Sequence, residues 1–563
     1  LTRCHDKKEK VKRQKMKRKI FLVVSAAVML ITVAFTNNTD QFELSKNLDV
    51  FASLYRELNT RYVDETDPGK LMKTGIDAML ESLDPYTNYY PESEIEDYKF
   101  MQTGQYGGIG STVHKIGDYC VISEPYEGFP AYKAGLRAGD KVLEINAVSA
   151  KGKNVSDLSK ILKGEPGSKV KLKIERQGKE MDFEITREEI QVKSVPYYAM
   201  LDKGIGYIKL SSFTEKAGKE VKEALQDLSK SNELKGLIFD LRGNPGGLLR
   251  ESIDIVNYFV DKGTTVVETK GKYKNTSEVR KTLNSPIDTR LPLTVLVDGG
   301  SASASEIVSG SLQDLDRAVI IGQKTYGKGL VQGTYNLSYN AMLKVTIAKY
   351  YTPSGRCIQK IDYGHRDDKG KAIKIADSLK TTFRTKNGRE VIDGDGIKPD
   401  IEIEKEKGNP VLGALIEKNH IFNFATDYRA SHESLIAAKD FKVSDELFNA
   451  FVLYLKDKDY SYNTNSDRLL TEFKKTAGDE KYMDAVKDEY EALNKKLQAQ
   501  KNSDLLLFKE EIKQMLKEEI ASRYYYQKGR AEAGLSNDKY IDKAIEILLA
   551  QEKYNSLLNP SAK

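Results

Sequence analysis

A chain of 563 residues with a formal net charge of +6 is long enough for three or more domains and too weakly charged to imply a nucleic-acid groove. Cys4, Cys120 and Cys357 lie far apart, with no metal-ligand spacing and no evident disulfide framework. Five scattered histidines include no His-Glu-x-x-His, so zinc peptidase chemistry is disfavoured and neither metal nor cofactor is expected.

Residues 1–19 form a basic N-terminal region, dense from Lys7 to Lys19, and hold much of the positive excess. Residues 20–36 are almost wholly apolar, so the two runs read as the charged and hydrophobic parts of a secretory signal. About seventeen apolar residues exceed a usual signal core yet barely reach a membrane span, which leaves cleavage and retention as an anchor both open. Thr32-Val33-Ala34 is a weak cleavage site; Met16 opens a more ordinary signal, making the first fifteen residues a candidate over-extension. Either way the remainder is expected to be exported, to the periplasm or the outer face of the inner membrane, with the basic end left in the cytoplasm. Over 37–103 the pattern is helical: Leu44, Leu48, Phe51, Leu54 and Leu58 recur at three and four, until Leu83-Asp84-Pro85-Tyr86 breaks the run.

A second region spans 104–189. Its opening, Tyr106-Gly107-Gly108-Ile109-Gly110-Ser111-Thr112-Val113, sets Gly108, Ile109 and Gly110 before a short strand. Successive N–H groups there can hold a terminal carboxylate while the strand edge pairs with an extended peptide. The continuation from Pro130 through Ala134-Gly135-Leu136-Arg137-Ala138-Gly139-Asp140 to Asn146 resembles the helix-turn-strand of PDZ domains, and alternating strands follow at 170–174 and 183–185. That resemblance implies a module reading the last residues of a substrate's tail. Lys163-Gly164 stands where relatives commonly have Arg-Gly, which puts a regulatory role of that side chain in doubt.

From 190 to 404 strands such as 206–210, 237–241 and 293–297 alternate with helices, as an α/β fold requires. Three turns there carry candidate chemistry. The strand Leu237-Ile238-Phe239-Asp240-Leu241 runs into Arg242-Gly243-Asn244-Pro245-Gly246-Gly247, where Gly246 and Gly247 can bring bare N–H groups close to a carbonyl oxygen. Asp240 and Arg242 alternate and are expected to form a structural ion pair. The second turn, Asp298-Gly299-Gly300-Ser301-Ala302-Ser303-Ala304-Ser305-Glu306, breaks an apolar run and resumes as a serine-rich helix start. Such a turn holds a hydroxyl beside N–H groups that stabilise an oxyanion, although Ser303 and Glu306 also fit a capping box. The residues alone do not choose among Ser301, Ser303, Ser305 and Ser309. The third, Gly322-Gln323-Lys324-Thr325-Tyr326-Gly327-Lys328-Gly329-Leu330-Val331-Gln332, holds a lysine between glycines. Desolvation lowers a lysine pKa, and a neutral Lys328 can take a proton from serine. If 328–332 is extended, period two puts Gln332 on the same face, its amide oxygen able to accept from the amine. No suitable histidine stands near the serines, which argues against a Ser/His/Asp triad. The acidic residues of 393–400 read as turn formers rather than metal ligands.

Ser-Ala-Ser-Ala-Ser-Glu followed by Thr-x-Gly-Lys-Gly-x-x-Gln resembles the C-terminal processing (tail-specific) serine peptidases, which use a Ser/Lys dyad assisted by Gln. The likeness runs roughly from Asp40 to Glu404. It implies Ser303 as nucleophile, Lys328 as base and Gln332 as the assisting residue, with the N–H of Ala304 in the oxyanion hole. The second donor falls in the Asn-Pro-Gly-Gly turn, Gly246 slightly ahead of Gly247. It also implies a ClpP/crotonase-like α/β/α protease core over 190–404, with an inserted PDZ domain and helical N- and C-terminal regions. Relatives often use the helical arm for homodimer contacts; packing on the same chain is equally open. Residues 405–563 shift to Lys, Glu, Leu and Tyr at helical spacing, notably 504–526 and 538–549, and Tyr524, Tyr525 and Tyr526 form an aromatic cluster read as packing. Two functions are expected from different classes. The first is an envelope endopeptidase that reads apolar C-terminal tails of protein substrates and cuts them through an acyl-enzyme; the alternative is a PDZ scaffold on a degenerate hydrolase fold.

Overall fold

The computed structural model describes residues 41–231, 233–273, 276–404, 408–501 and 503–559. The basic and apolar runs over 1–36 lie outside them, and among the described residues no helix is long and apolar enough to cross a membrane. Two compact units meet at Ser82 and Leu83. In the first, a helix over 41–61 is followed by the helix Pro68–Glu81, started by Pro68 and by the Asp67 carboxylate, which accepts the Lys70 N–H at 3.0 Å. The Tyr55 hydroxyl donates to the Pro68 carbonyl at 2.6 Å and ties the two helices. Leu44, Leu48, Phe51, Leu54 and Leu58 are exposed on the first of them.

The second unit is built around a six-stranded sheet in the order Tyr197–Leu201, Ile205–Lys209, Gly236–Asp240, Leu293–Val297, Val319–Gly322, Ile401–Glu402. Its first pair is antiparallel and the rest are parallel. Gly236–Asp240 and Leu293–Val297 are buried along their whole length, which is why they read as mostly apolar runs, with only Asp240 and Thr294 polar. Period two divides them between two cores. Leu237, Phe239, Leu293, Val295 and Ile320 face helices Ala217–Ser229, Leu249–Asn257 and Ala304–Asp314. Ile238, Leu296, Val319 and Ile321 face the opposite way, onto Ile541, Ala544, Ile547 and Leu548 of the helix Lys539–Leu549 and Tyr554 of the helix Gln551–Leu558. The result is an α/β/α sandwich whose second layer comes from the far C-terminal region, a use that the helical period of 538–549 did not reveal.

A second, antiparallel sheet pairs Met342–Tyr351 with Leu330–Asn336, Asn88–Tyr90 and Thr265–Gly271. The expected PDZ module is a separate sheet, Ser111–Ile116, Tyr119–Pro125, Lys141–Ile145, Lys169–Arg176 and Lys179–Thr186, closed by the helix Val155–Leu162 over its own core of Ile122, Val142, Leu158, Val170, Leu172 and Ile185. It enters and leaves through one two-stranded ribbon, Gln105–Gly108 against Glu188–Gln191. The helices from Pro410–Glu417 to Lys509–Gly534 surround a third core, including Phe424, Phe448, Phe451, Leu516 and Ile520. Tyr524 and Tyr525 donate their hydroxyls there to the carbonyls of His432 and Leu435, at 2.7 and 2.5 Å.

Candidate active site

The serine-rich turn distinguishes its own serines. Ser301, Ser305 and Ser309 are fully buried, and their hydroxyls donate to the carbonyls of Leu241, Asn244 and Ser305 at 2.9, 2.9 and 2.8 Å. Ser303 is half-buried at the N-cap of the helix Ala304–Asp314, with φ +56° and ψ −112°. An L-residue in that region is strained, and such strain recurs where a side chain is aimed for function. Burial and backbone geometry thus set Ser303 apart from Ser301, Ser305 and Ser309.

The turn after Asp240 is welded to it by Asn244 and Asp298. The Asn244 carbonyl accepts the Ala302 N–H at 3.0 Å, and Asp298 accepts the N–H groups of Gly243 and Gly300, both at 2.9 Å. Gly246 has φ +99°, and a Cβ there would lie 2.8 Å from the Ser303 Cβ and 2.9 Å from the Ala304 nitrogen, so only glycine lets the two turns approach. Ala304 carries a first-turn N–H for which a helix has no internal acceptor. The Gly246 N–H, however, is already given to the Asn244 side chain at 2.9 Å, whereas that of exposed Gly247 has no partner among the described residues. Of the two glycines placed in this turn, Gly247 and not Gly246 thus has its N–H free of hydrogen bonds among the described residues.

Glu306 joins this turn to the lysine segment. Fully buried, its carboxylate accepts the Ser303 and Lys328 N–H groups on one oxygen, each at 2.9 Å, and the Gly327 N–H and Thr325 hydroxyl on the other, at 2.7 and 2.5 Å. The capping reading of Glu306 was sound but covered only one of these four bonds; the other three come from a loop farther along the chain. Burial pushes the Glu306 carboxyl up to about 7, against the pull of these donors. Tyr350 adds a second tie, its buried hydroxyl lying 3.1 Å from the Ser303 carbonyl and 2.7 Å from that of Lys328.

The Lys328 Nζ makes no hydrogen bond or ion pair among the described residues and rests 4.1 Å from the centre of the Tyr86 ring. Desolvation lowers its pKa to about 8; the positive charge of half-buried Lys344 acts in the same direction, while Asp84 and Glu306 oppose it. Asp84, Tyr86 and Lys344 were missed in the sequence because only tertiary packing brings them here. Asp84 accepts the Tyr86 and Thr87 N–H groups at 2.8 and 2.9 Å, a local turn that sets the ring over the lysine. Gln332 departs from expectation. Its amide nitrogen donates to the Thr346 hydroxyl at 3.2 Å, and no bond to the Lys328 Nζ is formed. The strand begins only at Leu330 and carries a bulge between Val331 and Gln332, so the period-two argument fails.

Asp240 and Arg242 form the expected ion pair at 2.8 Å. In the PDZ-like module Ile109 and Gly110 lie between strands, and their N–H groups have no partner among the described residues. Ile109 lines a groove of about 230 Å³ together with Phe100, Tyr106, Val113, Tyr126 and Leu162. Gly108, by contrast, is paired within the ribbon, opposite Glu188.

Residues 204–368 match peptidase family S41, residues 121–176 a PDZ domain, and residues 411–548 the C-terminal helical domain of probable PDZ-proteases. A carboxy-terminal-processing protease of Bartonella bacilliformis is 36% identical over 343 residues, 60% of this chain and 78% of the relative. A probable CtpA-like serine protease of Staphylococcus aureus is 35% identical over 364 residues, 62% of this chain and 72% of the relative. Among solved structures, the photosystem II D1 C-terminal processing protease aligns with a TM-score of 0.34 and 26% identity, over 63% of this chain and 92% of that one.

Proposed function

The chain belongs to peptidase family S41, as a carboxy-terminal-processing serine peptidase with a PDZ domain, and from that premise we propose that Ser303 and Lys328 cut its substrates by an acyl-enzyme route. The observation that carries this reading is the single Glu306 oxygen that takes the N–H groups of both residues, holding two distant segments side by side. Lys328 swings from the Tyr86 ring and, as a neutral amine, takes the Ser303 hydroxyl proton while Oγ attacks the scissile carbonyl. The N–H groups of Ala304 and Gly247 hold the oxyanion. Lys328 then gives its proton to the departing amine, and water attacks the ester, returning a proton through Lys328 and freeing Ser303. No metal is drawn on. Incubation with an unfolded, tail-bearing protein followed on a gel tests the reading, since a scaffold would bind that protein and leave it intact.

Its pH dependence follows from the lysine. A pKa lowered to about 8 means that the neutral base is the minor form below that pH, so kcat/KM should rise with pH and level off above about 8. A profile already flat between pH 6 and 8 would count against Lys328 as base.

Tail recognition is assigned to the groove of the PDZ domain, with the N–H groups of Ile109 and Gly110 on the terminal carboxylate and the apolar wall on the last side chains. Charge-assisted hydrogen bonds contribute about 1.5 to 3 kcal/mol each. A C-terminally amidated substrate should therefore be cut roughly tenfold more slowly below saturation, about 1.4 kcal/mol being one decade. Equal cleavage of amidated and free-acid tails would remove carboxylate recognition. An envelope location is supported by the signal-like pattern of 1–36, and a homodimer by the exposed apolar stripe from Leu44 to Leu58; fractionation and sedimentation test the two.

A further inference from the structure

The helix Lys539–Leu549 covers the side of the core sheet turned away from Ser303, yet its first residues reach two of the three segments on which hydrolysis depends. Asp538 caps it through the Tyr540 N–H at 2.9 Å and pairs with Arg242 at 2.8 Å. The Arg242 guanidinium lies 4.8 Å from the centre of the Tyr540 ring, and the Tyr540 hydroxyl accepts from the Gln323 amide at 2.6 Å. Arg242 opens the turn that carries Gly246 and Gly247. Gln323 opens the segment that carries Lys328, and its N–H bonds the Val297 carbonyl at 3.0 Å, where the strand leaves for the nucleophile turn. One helix start thus reaches the roots of the oxyanion turn and of the lysine loop together, through an ion pair, a hydrogen bond and a cation–π contact.

We propose that Asp538 and Tyr540 are positioning residues for peptide hydrolysis, fixing the oxyanion turn and the lysine loop in register through Arg242 and Gln323. The proposal rests on the Ser303/Lys328 reading. Oxyanion donors and a general base act only within a narrow range of geometry, and a shift on the order of 1 Å from a remote change costs up to about a hundredfold in rate. Binding of the tail, which takes place in the PDZ groove, does not pass through these contacts.

The test compares Tyr540→Phe and Asp538→Asn with Tyr554→Phe in the full chain, reading kcat, KM and thermal midpoint on a tail-bearing protein. Tyr554 is the matched control. It lies on the following helix, and its hydroxyl accepts the Leu293 N–H at 2.9 Å, at the end of that strand remote from the nucleophile turn. Loss of one hydrogen bond or charge contact should lower kcat by roughly three- to tenfold in Tyr540→Phe and Asp538→Asn with KM unchanged. Tyr554→Phe should lower the thermal midpoint and leave kcat in place. Unaltered kcat in both test variants overturns the proposal, as does an equal kcat loss in Tyr554→Phe. Ser303→Ala, run alongside, separates the two claims: hydrolysis surviving there overturns the dyad and this proposal with it, whereas an inactive Ser303→Ala beside unaltered kcat in both Tyr540→Phe and Asp538→Asn overturns the positioning role alone.

Discussion

Replacing Ser303 with alanine is expected to abolish peptide hydrolysis while leaving tail binding intact. The substitution deletes one oxygen at a half-buried position and leaves the Ser303 N–H to Glu306 bond in place, so the helix start and the lysine segment keep their tie. Loss of a nucleophile from a concerted catalytic set has cost on the order of a millionfold in kcat in other serine peptidases. Ser301→Ala and Ser305→Ala are the informative comparisons. Each removes a hydroxyl that bonds a backbone carbonyl in a fully buried setting, and each should act first on stability. Peptide digestion followed by mass spectrometry gives the rates; an active Ser303→Ala beside an inactive Ser301→Ala or Ser305→Ala would move the nucleophile.

Lys328→Arg should also cost most of the activity, though less than Ser303→Ala, and for a different reason. Arginine keeps the positive charge and can still face the Tyr86 ring, but it does not give up its proton near neutrality and cannot act as base. Removal of a general base costs about a hundred- to ten-thousandfold. A lysine that served only to attract substrate would tolerate the exchange, so near-normal turnover in this variant would exclude the dyad. The backbone bond from residue 328 to Glu306 survives the change, and the thermal midpoint should therefore move little.

What could be read from the sequence divides along physical lines. Strands buried on both faces, such as Leu293–Val297, announce themselves as apolar runs, and a helix start after two glycines is a local event written in adjacent residues. Bonds between distant segments are not local. Glu306 looked like a cap because its first acceptor duty lies within one turn, and nothing in its neighbours could reveal the Thr325 and Lys328 donors. Gln332 was placed by a strand periodicity that a single extra residue in the ladder undoes. The slight preference for Gly246 over Gly247 was set without any sign in the sequence that the Asn244 side chain folds back on the Gly246 N–H. The C-terminal helices showed an apolar face but not the surface that it covers, since amphipathicity names a side and never a partner.

That late layer bears on when the peptidase comes into being. The strand Gly236–Asp240 has one face sealed by side chains from 541–548, so Ile238 lacks its covering helix until some three hundred more residues have been joined to the chain. At about 5–20 residues per second, synthesis of that stretch takes roughly 15 to 60 seconds. Contacts so remote in sequence also form slowly once both ends exist. Once Lys328 has been joined, and for roughly two hundred residues more, the serine, the lysine and the oxyanion turn are all present as covalent chain without the buttressed sheet. A copy is therefore expected to gain activity only after residues 541–548 have been joined and packed, which a series of C-terminal truncations assayed for hydrolysis would check.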